Sequence, residues 1–209
     1  MDSIDSIAKR DTALAERVVG ADRKVDELQQ QIEEQALRVL ALRQPMAVDL
    51  RETLAAIKIA GELERVGDLA KNIAKRAMVL NREPPIRLAQ SLARMGGQAL
   101  GQLKLVLDAY SDRDADSAEL VWKQDGEIDE MYNSLFRELL TYMMEDPRMI
   151  GACTHLLFAA KNLERIGDHA TNIAENIYYL VHGKPLRDER PKKDNTSTTP
   201  FSPIGREAE

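Results

Sequence analysis

The sequence is poor in cysteine, aromatic residues and glycine, and it contains no long apolar run. One cysteine, Cys153, excludes an intramolecular disulfide and any cysteine-rich zinc module. A lone thiol fits a reducing compartment. Aromatic residues make up only 4% of the 209, so a core has to be built from Leu, Ile, Val, Ala and Met. With 11 glycines, 44% hydrophobic and 31% charged residues, the composition suits long helices with solvated faces rather than a sheet. No apolar stretch reaches the ~18–20 residues that span a bilayer; the run at 156–160 is soon followed by Lys161 and Glu164. The start, MDSIDSIAKRD, lacks the apolar centre of a signal peptide, which makes the cytoplasm the default location. A net charge of −6 disfavours nucleic acid and anionic lipid as partners but leaves cations open. There is no Gly-x-Ser-x-Gly and no P-loop, so an enzyme is not the expectation.

Proline does most of the punctuation. Pro45, Pro84, Pro85, Pro147 and Pro185 divide the first 185 residues into long proline-free segments. The segments 14–43, 46–81, 86–111, 115–144 and 148–182 carry apolar residues at three- and four-residue spacing, for example Leu14, Val18, Val25, Leu28 and Ile32. Pro45 and Pro147 predict helix starts, and the acidic run at 112–116 offers side-chain caps. The longer helices would reach roughly 40–50 Å, and helices of that length on short connections form antiparallel bundles. From Lys184 onward periodicity ends. Residues 184–209 are polar and rich in Pro, Ser and Thr, which predicts a disordered tail. Its basic stretch at 187–193 reads as solvated rather than as a docking patch.

An internal duplication carries the most information. The twelve residues Leu63-Glu-Arg-Val-Gly-Asp-Leu-Ala-Lys-Asn-Ile-Ala74 recur as Leu163-Glu-Arg-Ile-Gly-Asp-His-Ala-Thr-Asn-Ile-Ala174, with nine positions identical. The preceding helices also align: Arg10-Asp11 with Arg113-Asp114, Asp22 with Asp125, and Asp26 with Asp129. The chain is therefore all-α, a tandem repeat of two related halves at 1–82 and 86–183. Three helices can be counted in the second half. In the first, most of the equivalent first helix would fall before Met1, and only residues 4–9 match its end. Either the chain start cuts that helix short or something else, a partner chain being the obvious candidate, covers the exposed flank.

Carboxylates recur in register. Glu64/Asp68 and Glu164/Asp168 lie four residues apart on one helix face, and Asp22/Asp26 and Asp125/Asp129 do the same on the preceding helix of each half. Like charges at this spacing cost a helix roughly 0.2–0.5 kcal/mol per pair, so four such pairs call for a compensating cation. One reading is a solvated acidic face balanced by neighbours such as Arg65, Arg165 and Lys24. The other is a metal ion between the two helices of each half. An all-oxygen donor set suits magnesium, manganese or iron, or zinc at an oxygen-rich site. Arg65, Arg165, Asn72 and Asn172 are candidates to brace or hydrogen-bond the ligands. Gly67 and Gly167 admit a close neighbour, either a helix or a cluster. His169 is matched by Leu69, which argues against a symmetric ligand role, and His155 and His182 carry no repeat signal.

On the segments QPMAVDLRETLAAIKIAGELERVGDLAKNIAKRA (44–77) and LLFAAKNLERIGDHATNIAENIYYL (156–180), the sequence resembles the PhoU family of phosphate-transport accessory proteins. The resemblance spans about residues 10–183. It implies two three-helix bundles in tandem, with the first helix of the first bundle largely missing here. It also implies multinuclear metal clusters held by Asp22/Asp26 with Glu64/Asp68 and by Asp125/Asp129 with Glu164/Asp168. The expected protein is cytoplasmic and dimeric. It would repress the phosphate-starvation response and modulate phosphate import, between the importer's ATPase and a sensor histidine kinase. Two other classes compete. A carboxylate-bridged di-iron enzyme would use Glu-x-x-His, which does not occur in this sequence, and a metal-free structural adaptor leaves the registered acidic pairs unexplained.

Overall fold

The structure, a computed structural model, describes residues 1–85, 88–186, 190, 192 and 193. Among them the helices run α1 Asp2–Ala8, α2 Thr12–Arg43, α3 Val48–Leu80, α4 Ala89–Asp112, α5 Ala115–Lys123, α6 Asp125–Glu145 and α7 Ile150–His182. A 3₁₀ turn, Pro147–Met149, leads into α7. The first half is α1–α3, with α1 two turns long. The second half has three full layers: α4, the α5–α6 pair, and α7.

The duplicated Arg-Asp pair turns out to be a duplicated turn. Arg10 and Arg113 both adopt left-handed backbone, with φ of 55° and 53°, and the following aspartate caps the next helix. Asp11 accepts from the Leu14 amide at 2.9 Å, and Asp114 accepts from the amides of Asp116 and Ser117 at 3.0 and 3.1 Å. Pro147 opens its turn at the first position, where a missing N–H costs nothing. Pro45 instead lies in the tight α2–α3 connection, between Gln44 and Ala47, both with positive φ.

One expected helix is two. The segment 115–144 breaks at Gln124 into α5 and α6. There Gln102, reaching across from α4, donates its side-chain amide to the Gln124 carbonyl at 3.1 Å. The break lets α5 and α6 face different parts of the core, and it puts Asp125 in the first turn of α6, where the helix dipole favours negative charge. In the first half α2 runs unbroken past Asp22. The expected start of the fourth helix at 86 falls on residues 86–87, outside the described residues, and α4 begins at Ala89.

The apolar interior forms two clusters, and each draws on both halves. One joins Ile4 and Ile7 of α1, Leu69 and Ile73 of α3, Leu92 of α4, Ile128 and Leu139 of α6, and Leu156 of α7. The other joins Ile59 of α3, Val106 of α4, Val121 and Trp122 of α5, and Ile173 and Ile177 of α7. Helices α3 and α7 contribute to both. They pack antiparallel, since Arg51, Glu62 and Arg76 of α3 meet Leu180, His169 and His155 of α7 in reversed order. Helix α1 is wedged against α4: a Cβ on Gly96 would lie 2.8 Å from Ile4 Cγ1, so glycine is what lets α1 approach.

Beyond the reach of α1, the far end of the α2–α3 hairpin is bare. Leu28, Ile32, Leu37, Leu42, Met46 and Leu54 are exposed there, Leu42 by 76% and Met46 by 80%.

Candidate metal centre

In the first half, α2 and α3 bring Asp22 and Asp68 onto a single cation, the Lys71 ammonium. Lys71 donates to Asp22 and, at 2.7 Å, to Asp68 Oδ1. The hydrogen bonds to Asp22 and then Asp68 hold the ammonium charged well above its ordinary range. Arg65 braces the same face, 3.4 Å from Glu64 Oε2 and 3.7 Å from Asp68 Oδ2. Asp22 Oδ1 is buried and has no hydrogen-bond partner. Asp26 lies half-buried one turn further along α2. An open groove of about 820 Å³ reaches Glu64 and Arg65 and continues to Glu62 and Asn172.

In the second half the carboxylates are more deeply enclosed. Asp125, Asp129 and Glu164 are 4%, 3% and 2% exposed. The cation here is Arg190. Its Nε and Nη2 donate to the two Asp125 oxygens at 2.7 Å each, and Nη2 also reaches Asp168 Oδ1 at 2.7 Å. Lys192 lies 3.2 Å from Asp168 Oδ1, and the Lys193 amide donates to Asp129 Oδ2 at 2.7 Å. Thr171 adds a hydroxyl bond to Asp125 Oδ1 at 2.7 Å. Glu164 is paired with Lys161 at 3.0 Å. Burial pushes the Glu164 carboxyl up, Asp168 adds to this, Lys161 partly offsets it, and Asp129 contributes a further push.

Why these residues meet follows from the repeat. Gly67 and Gly167 sit between the acidic residues of α3 and α7 and pack on Val25 and Ile128, which lie between the paired aspartates of α2 and α6. A Cβ on Gly67 would come 3.3 Å from Val25 Cγ1, and one on Gly167 would come 2.8 Å from Ile128 Cδ1. Close helix approach is what these glycines provide, and it draws the two carboxylate rows together. Of the other expected residues, Asn72 and Arg165 are exposed. Asn172 donates to Glu62 at 3.1 Å and accepts from Arg190 at 3.3 Å, linking the second-half cluster to α3. His169 Nδ1 lies 2.6 Å from the same Glu62 oxygen. Burial raises the Glu62 carboxyl, but the bonds from His169 and Asn172 outweigh it and hold the group below its ordinary range.

Sequence reasoning missed the cations. Lys71 stands inside the duplicated motif at one of its three non-identical positions, with Thr171 as its match, and that mismatch was the available signal. Arg190, Lys192 and Lys193 belong to the basic stretch that reads as solvated. The rest of the expected tail, 187–189, 191 and 194–209, lies outside the described residues.

The donor chemistry fits a hard cation. In each half, carboxylate oxygens from two helices already converge on one positively charged nitrogen, and in the first half a buried carboxylate oxygen is left without a partner. Among the described residues, however, no three His, Cys, Asp or Glu side chains converge closely enough to enclose an ion by themselves.

Comparison with known proteins follows the same division of the chain. A family model described as the PhoU domain matches residues 1–77 and again 92–177. A protein of Caulobacter vibrioides named phosphate-specific transport system accessory protein PhoU homolog is 58% identical over 194 residues, covering 92% of this chain and 84% of the relative. One of the same name from Rhizobium meliloti is 54% identical over 198 residues, covering 94% and 84%. The crystal structure of PhoU from Pseudomonas aeruginosa superposes with a TM-score of 0.85 at 40% identity, covering 88% of each chain. The phosphate transport system regulatory protein PhoU from Streptococcus pneumoniae gives 0.82 at 30% identity, covering 89% and 87%. The chain belongs to the PhoU family.

Proposed function

We propose that this protein is a regulatory adaptor of phosphate transport without chemistry of its own, carrying one hard-metal site in each half. The observation that supports the sites is the convergence of equivalent carboxylate pairs, Asp22 with Asp68 and Asp125 with Asp168, on a single cation in both halves. Asp22, Asp26, Glu64 and Asp68 would hold metal in the first half, and Asp125, Asp129, Glu164 and Asp168 in the second. Iron, zinc, manganese and magnesium all suit such oxygen donors. When bound, the metal supplies positive charge that ties α2 to α3 and α6 to α7. The chain's own residues hold the two carboxylate rows in register, through Gly67 and Gly167, and present helical surfaces to partners.

Relatives named as accessory proteins of phosphate-specific transport support a role as negative regulator of the phosphate-starvation response. The protein would act in the cytoplasm between the importer's ATPase subunit and a sensor histidine kinase. No helix of the described residues is long and apolar enough to cross a membrane, which agrees with a peripheral role. The bare end of the α2–α3 hairpin supports a homodimer or a partner seated there. A second reading also has an observation behind it. Lys71 and Arg190 already balance the acidic pairs, as a metal-free adaptor would need.

Elemental mass spectrometry on protein purified without chelator or metal-affinity tag tests the sites. Bound iron, manganese or zinc that is lost in an Asp68→Ala/Asp168→Ala double variant is the expected result. A folded protein that takes up no metal would leave the metal-free adaptor. Deleting the gene should derepress phosphate-scavenging genes in high phosphate, and unchanged repression would end the regulatory reading.

A further inference from the structure

The two halves neutralise equivalent carboxylates in different ways. In the first half the counter-ion belongs to the motif itself: Lys71 lies three residues after Asp68 on α3 and bridges to Asp22. Its side chain can swing aside, but its backbone stays fixed on α3. In the second half the matching residue is Thr171, which gives Asp125 a hydrogen bond but no charge. The missing charge comes from beyond the end of α7. Gly183, in left-handed backbone with φ of 68°, ends α7 and allows the chain to turn back. Seven residues later Arg190 lies beside Asn172 and Asp168, about three to four turns back along the helix. At ~3.3 Å per residue for extended chain against ~1.5 Å along a helix the two lengths are about equal, and the long arginine side chain supplies the remaining reach.

This segment addresses three of the four second-half carboxylates expected to bind metal. Arg190 takes Asp125 and Asp168, Lys192 adds to Asp168, and the Lys193 amide takes Asp129. Arg190 and a metal would use the same oxygens, so they exclude one another. We propose that Arg190, Lys192 and Lys193 form a tethered counter-ion that a divalent cation displaces from the second half, an inference that rests on the metal-site reading above. In the first half a metal would displace only the Lys71 side chain, which stays on its helix, so no chain segment is released. Metal loading of the second half would therefore free a basic segment from the α6–α7 face, and the segment would in turn weaken metal binding there. The apparent affinity falls by the fraction of molecules in which the site is free, and a tether keeps the competitor at high local concentration.

Hydrogen exchange read by mass spectrometry on the full chain, combined with manganese titration, tests this. The amides of Lys192 and Lys193, which donate to the Arg190 carbonyl at 2.8 Å and to Asp129 at 2.7 Å, should exchange at least ~10-fold slower in metal-free wild type than in Arg190→Ala. Saturating manganese should remove that protection. Arg190→Ala should bind manganese ~10-fold or more tightly in the second half, assigned by its loss in Asp168→Ala, with first-half binding unchanged. Unprotected amides in metal-free wild type, protection that persists with manganese bound in the second half, or unchanged or weaker affinity in Arg190→Ala would each overturn the exchange while leaving the metal sites intact. If neither protein binds manganese, the metal reading fails and displacement fails with it, a result recognised by a tail that stays protected throughout.

Discussion

Lys71 and Thr171 occupy one position of the duplicated motif, and that single difference decides where each half finds its positive charge. Replacing Lys71 with Met should strip Asp22, whose second oxygen is already without a partner, of its cation. Leaving buried acceptors unsatisfied costs about 1–3 kcal/mol. For a chain of this size that lowers Tm by roughly 3–10 °C without metal. Added manganese should recover part of the loss, and a variant as stable as wild type in chelator would show that Lys71 is not the counter-ion. Glu164 gives a pH signature. Its folded pKa is raised, so the charged form weakens the fold at neutral pH, and metal-free protein should gain stability as pH falls through that raised value toward the ordinary glutamate range. Glu164→Gln should be more stable than wild type at pH 7, with the gap closing on acidification; a gap independent of pH in thermal melts would rule this out. The acidic residues were legible because their spacing repeats. Their cations were not, because which side chain settles on a carboxylate depends on the helix facing it and, for Arg190, on a chain reversal after Gly183.

Among the elements, the α3–α2 and α7–α6 contacts are the same device built to different tolerances. Alanine at a helical glycine gains about 1 kcal/mol of propensity, but overpacking in a well-filled core costs about 1–3 kcal/mol. Gly67→Ala meets the half-buried Val25 at 3.3 Å, and Gly167→Ala meets the fully enclosed Ile128 at 2.8 Å. Gly67→Ala should therefore be near neutral and Gly167→Ala destabilising by about 1 kcal/mol net. Urea denaturation of both variants checks the order, and the reverse ranking would show that Ile128 moves aside freely. Most helix limits could be read from proline and the Arg-Asp turns, since caps and missing N–H groups act locally. The break at Gln124 could not. The apolar periodicity passes through it, and the Gln124 carbonyl there takes the Gln102 amide from another helix beside the Glu127 backbone N–H.

At the scale of the whole molecule, two related halves were legible, because the duplication aligns their helices directly. How the halves join was not, since the antiparallel α3–α7 contact depends on faces that a single motif leaves open. The bare hairpin end leads to a testable association. Replacing Leu42 with Glu at that end should change stability by no more than about 0.5 kcal/mol, as for an exposed site, and should reduce any concentration-dependent association seen by sedimentation. Association that is unchanged would place the contact elsewhere. Each apolar cluster also takes side chains from both repeats, so a cut in the connection between α3 and α4 would not release two stable modules. Residues 1–85 and 86–209 expressed apart should each be largely unfolded, and mixing them should restore helicity as one cooperative unit. That outcome would mean the gene duplication made two copies of a motif but one folding unit, a protein that can be split and reassembled but not halved.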